Sequence, residues 1–77
     1  MQEQREYGTP SRVIHVRNVT QEVQQADLMT LASQFGRVAH CLILRAKNQA
    51  LIQMHDLQSA IAFVQFYFVS QPTIRYA

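Results

Sequence analysis

Near the middle of the chain, residues 47–54 read Lys-Asn-Gln-Ala-Leu-Ile-Gln-Met. With a period of two, Ala50, Ile52 and Met54 fall on one face and Gln49, Leu51 and Gln53 on the other, so this is a strand with one wholly apolar side and one mixed side. The apolar side has to be covered, and the outward leucine needs an explanation. A second segment, Val13-Ile14-His15-Val16-Arg17-Asn18, repeats the design, with Ile14 and Val16 pointing inward and His15 and Arg17 outward. The remaining elements are best read as what brings these two strands side by side.

There is room for one domain in 77 residues, and a chain of this size buries only about 60% of the surface its unfolded form exposes. Residues 1–11 are polar and end in Gly8-Thr9-Pro10-Ser11, so they are expected to form a flexible N-terminal arm; the folded domain spans 12–77. The first strand runs over about 12–18. A helix is predicted over 25–34, because Leu28, Leu31, Ala32 and Phe35 make one apolar stripe, with Asp27 in its first turn and Gly36 placed as a left-handed terminator. Residues 38–44 form the second strand, and Arg45-Ala46-Lys47-Asn48 turns the chain into the third. Asp56 suits the N-cap of a second helix whose stripe is Ala60, Phe63, Val64 and Tyr67, and Ser70-Gln71-Pro72 stops it. The last five residues, 73–77, are a stub where a fourth strand belongs. This order is the split βαβ pattern, an α+β ferredoxin-like fold in which an antiparallel sheet carries two helices on one face.

Hydrophobic content of 48% with 16% charged residues is that of a globular chain. The formal net charge is +2, which is mildly basic and far from a histone-like polyanion binder. Placement says more than the total: beyond residue 11 the acids are Glu22, Asp27 and Asp56, near the helix starts, whereas Arg17, Arg45 and Lys47 lie on or between strands. The single cysteine, Cys41, permits no internal disulfide and reads as a small inward hydrophobe in a reducing compartment. The first six residues lack the apolar core of a signal peptide, and no stretch has the length to span a membrane, so a soluble intracellular protein is expected.

With both helices on one side, the other sheet face is open. It carries His15, Arg17, His40, Leu42, Leu44, Gln49, Leu51, Gln53 and His55. Leucines, amides, imidazoles and cations mixed on one surface suit contact with unstacked bases. At this point the residues resemble a known family. Residues 14–19, Ile-His-Val-Arg-Asn-Val, and the octapeptide 47–54 stand where an RNA recognition motif carries its two signature segments. Arg12-Val-Ile-His-Val-Arg-Asn, Phe35-Gly-Arg-Val and Leu44-Arg-Ala-Lys-Asn-Gln-Ala-Leu-Ile-Gln-Met are similar to the first such domain of polypyrimidine tract-binding proteins. The resemblance implies binding of single-stranded, CU-rich RNA on the open face, as in splicing of pre-mRNA, and a nuclear location with cytoplasmic presence also allowed. It implies RNA contact by His15, Arg17, His40, Leu42, Leu44, Lys47, Gln49, Leu51 and Gln53, with no cofactor and no membrane. His15 takes the place of a stacking aromatic, Gln49 and Leu51 the places of the octapeptide aromatics, and Asn48 the place of a glycine. Stacking contributes about 1–3 kcal/mol per base, so a face with one imidazole should bind weakly unless copies are linked.

Each of these residues has a plainer alternative. His15 is a stacking platform or a solvated strand residue, and Gln49 and Gln53 read base edges or keep the face soluble. Arg17, Arg45 and Lys47 form a phosphate cluster or a solvated tip. The pairing expected of the hairpin sets His40 opposite Gln53 and His55 opposite Val38, two strands from His15, so no metal site converges. Ile61, Phe66 and Phe68 point away from the sheet, as a satellite cluster or as a docking patch. A missing or stub-like fourth strand leaves the strand-one edge open, which gives an alternative function: a protein-interaction module that adds a partner strand, pairs with itself or docks a partner on its helical face. No carboxylate pair, nucleophile with a base or phosphate-cradling glycine loop points to an enzyme.

Overall fold

The structure, a computed structural model, describes residues 9–67 and 74–77. Strand β1 (Val13–Arg17) leads by a loop into helix α1 (Gln25–Ser33). Strands β2 (Val38–Leu44) and β3 (Gln49–Met54) flank a 3₁₀ turn at Arg45–Lys47, and helix α2 (Leu57–Tyr67) and a short strand β4 (Ile74–Tyr76) follow. All pairings are antiparallel and the sheet order is β2-β3-β1-β4. This is the split βαβ architecture that the alternation of periodicities predicts. Residues 1–8 of the expected N-terminal arm, and Phe68, lie outside the described residues.

The two central strands supply the floor of the core. Ile14 on β1 and Ala50, Ile52 and Met54 on β3 are fully buried beneath Ala60, Phe63 and Val64 of α2 and Ala32 of α1. Burying side chains of this size contributes about 1.5–3 kcal/mol each, which is why the inward positions of β1 and β3 tolerate nothing polar. The predicted helix stripes are the ones used: Leu28 and Ala32 are buried, with Leu31, Phe35 and Tyr67 packed half-buried against them. The Phe35 and Phe63 rings stack with centroids 5.2 Å apart, joining the end of α1 to α2.

The helix starts are chemically capped. The Asp27 carboxylate accepts the Gln24 backbone N–H at 2.9 Å. Asp56 accepts the Ser59 backbone N–H at 2.9 Å, and that bond holds its pKa below the ordinary aspartate value. Gly36 is needed for a different reason from the one its position suggests. Helix α1 ends at Gln34 in the right-handed region, and Gly36 has φ 154° rather than a left-handed helical angle. A Cβ at Gly36 would overlap the Ser59 side chain, so the glycine serves the close approach of this turn to α2.

Two further expectations are corrected. Strand one is not an open edge: β4 pairs with it as Ile14↔Tyr76, His15↔Arg75 and Val16↔Ile74, and the Ala77 N–H donates to the Val13 carbonyl at 2.9 Å. The stub forms a true strand because Ile74 and Tyr76 are both buried, an inward alternation long enough to seat three residues. The hairpin register also slips between Val38 and His40, so Val38 pairs with Met54 and not with His55. His55 lies past the end of β3, where its N–H donates to the Arg37 carbonyl at 2.8 Å.

Candidate nucleic-acid interface

The register places the outward side chains in rows across the sheet. One row crosses all four strands in the order Leu42, Leu51, His15, Arg75. Beside it on one side run Leu44, Gln49 and Arg17, and on the other His40, Gln53 and Val13. Leu42 is 54% exposed, a large apolar side chain left uncovered near the centre of β2. His15, Leu44, Gln49, Leu51, Gln53 and Arg75 are half-buried, while Arg17 and His40 are exposed. The sequence-predicted residues on the strands are thus brought onto one continuous surface.

Lys47 is the exception. It sits in the 3₁₀ turn, and the strand begins only at Gln49. Between them Asn48 adopts a left-handed conformation with φ 55° and ψ 45°, which asparagine tolerates better than other non-glycine residues. Its backbone carbonyl accepts the Val19 N–H at 2.8 Å and its side-chain oxygen accepts an N–H of the Gln21 amide at 2.9 Å. Asparagine therefore does here what glycine would do for the turn, and it also ties the turn to the β1–α1 loop.

Arg45 belongs to the same tie and not to a phosphate cluster. Its guanidinium donates to the carbonyls of Thr20 at 3.4 Å, Gln21 at 3.2 Å and Val23 at 2.7 Å. Those contacts engage its donors on the loop, which leaves Arg17 and Arg75 on the strands and Lys47 at the turn as the cations of the face. Row positions Val13 and Arg75 were not predicted as part of this surface. The signal for Arg75 was the alternation Ile74-Arg75-Tyr76, too short to read as a strand by itself.

A side-chain hydrogen bond crosses the face: His15 Nε2 lies 3.0 Å from Gln49 Oε1. None of the row residues is a carboxylate, so the surface offers donors and cations to a ligand rich in acceptors. Cys41 points the other way, paired opposite Ile52, and burial pushes its thiol pKa up. No group of three metal-ligating side chains occurs among the described residues. On the helical side, Phe66 is 67% exposed, yet its ring packs 5.4 Å from Phe35 and edge-on at 5.0 Å to Tyr67. Of the three residues expected to point away from the sheet, Phe66 joins the rings of Phe35 and Tyr67, Ile61 packs half-buried against the core, and Phe68 lies outside the described residues.

The α+β module thus has one sheet face covered by helices and one open face lined by an imidazole, leucines, amides and cations. Comparison with known proteins gives its class. A family model described as the RNA recognition motif matches residues 14–67. The chain is 51% identical over 65 residues to polypyrimidine tract-binding protein homolog 3 of Arabidopsis thaliana, covering 84% of this chain and 15% of that protein. It is 34% identical over 61 residues to polypyrimidine tract-binding protein homolog 1 of the same plant, covering 77% of this chain and again 15% of the relative. Among solved structures, the RNA recognition motif of RNA15 superposes with a TM-score of 0.65 at 25% identity, covering 74% of this chain and 72% of that one. The same domain of S. pombe Puf1 superposes with a TM-score of 0.68 at 20% identity, covering 82% of each chain, a likeness of fold. The chain belongs to the RNA recognition motif family.

Proposed function

We propose that the open sheet face binds single-stranded, pyrimidine-rich RNA, and that it does so on nuclear transcripts during splicing. The observation that carries this is the row Leu42, Leu51, His15, Arg75, which sets an imidazole between an apolar platform and a cation in register across four strands. A base can stack on the imidazole and rest on the leucines while its phosphate meets Arg75 or Arg17. The donors around His15 suit the carbonyl oxygens that pyrimidines present, O2 on both bases and O4 on uracil. Likeness to proteins named for polypyrimidine tract binding supports the same preference.

Fluorescence anisotropy with short labelled RNAs tests this reading. A CU-rich strand should bind in the weak range expected of one domain, and a purine strand of equal length less well. Equal affinity for both would remove the pyrimidine preference, and no binding to either at millimolar protein would remove RNA binding. Addition of a partner strand at β1, one of the two forms of the alternative reading, loses its basis because β4 already occupies that edge.

A further inference from the structure

The His15 ring is tethered on the surface where it is proposed to stack. In the β1–β3 register His15 stands opposite Leu51 and Gln49 opposite Arg17, so the 3.0 Å contact between His15 Nε2 and Gln49 Oε1 is a diagonal one across the gap between strands. A carbonyl oxygen only accepts, so in this contact Nε2 is the donor. An imidazole held at Nε2 by the neighbouring strand has its outer ring edge fixed relative to that strand. Without that bond an exposed strand side chain samples more than one χ1 rotamer.

We propose that Gln49 is a positioning residue, which fixes the His15 ring as a ready stacking platform and acts on RNA through His15 instead of reading a base itself. This rests on the RNA-binding reading of the face. One observation favours it over direct readout. An amide identifies a base most sharply when its oxygen and nitrogen both engage the base edge, and here the oxygen is already bonded to His15. A ring ordered before the base arrives loses less freedom on binding, which is how a small platform gains affinity.

The test has two parts. In the free protein, three-bond couplings about His15 χ1 should report one rotamer, which averages in Gln49→Leu and is restored in Gln49→Glu, where an oxygen acceptor stands in the same place. Affinities for a CU-rich RNA are then measured in a double-mutant cycle. Gln49→Leu should weaken binding about threefold to tenfold in the wild-type background, as expected for loss of one hydrogen bond, and should have no further effect in His15→Ala. Equal losses in both backgrounds would overturn the proposal and make Gln49 a direct contact. An unchanged χ1 rotamer in Gln49→Leu would overturn it as well. If His15→Ala alone leaves affinity unchanged, the stacking reading fails, while the couplings in the free protein still decide whether Gln49 holds the ring.

Discussion

On β2 and β3 the open face holds all its leucines, Leu42, Leu44 and Leu51, among the uncharged side chains of His40, Gln49 and Gln53; on β1 and β4 it carries His15, Arg17 and Arg75. The two halves meet between β3 and β1, where the His15–Gln49 hydrogen bond crosses. They offer a nucleic acid different physics. The leucine half gains by removing apolar surface from water, which salt leaves nearly unchanged. The cationic half gains by displacing counterions from phosphates, which salt weakens directly. A single strand lying with its bases over the leucines and the imidazole, and its backbone towards β1 and β4, would use both.

The largest effect should come from beneath the cationic half. Tyr76 is buried on the inner side of β4, so Tyr76→Ala is expected to cost about 2–5 kcal/mol of stability in urea unfolding. It should also flatten the salt dependence of RNA binding, because Arg75 loses the strand that presents it. His15→Ala comes next, with a loss of about 1–3 kcal/mol in RNA affinity by anisotropy, the worth of one stacked base. Leu51→Ala should weaken binding by about 1 kcal/mol, by the same amount at low and high salt. Smallest at physiological salt are Arg17→Gln and Arg75→Gln, each of which should reduce the slope of log K against log salt by about 0.7. A leucine substitution that changed that slope, or an arginine substitution that left it intact, would break the division between the halves.

How much of this was legible before the fold was known depended on the length of each pattern. The alternation in residues 49–54 and 13–17 spans enough positions to fix both strands and their outward faces, and five of the site residues (His15, Arg17, Gln49, Leu51 and Gln53) follow from it. The helix stripes were equally plain. Tyr76 and Arg75 were not, because three residues of alternation carry little information until β1 is there to pair with them. Val19 read as loop and is buried in the core, held there by its N–H to Asn48, a contact across 29 positions that no local pattern encodes. Arg45 read as a surface charge, and its donors are engaged by carbonyls of the β1–α1 loop. Gly36 read as a left-handed cap, and its need for no side chain comes from Ser59 on the other helix. Each miss is a tertiary contact, and each hit is a period within one element.

The claim at the centre is that the row across the four strands is where RNA lies. An amide chemical-shift titration with a short CU-rich RNA addresses it residue by residue. The account predicts shifts concentrated at His15, Leu42, Gln49, Leu51 and Arg75, with the helical residues Met29 and Phe66 unmoved. Saturating RNA that moved the helical residues and left that row unchanged would contradict it.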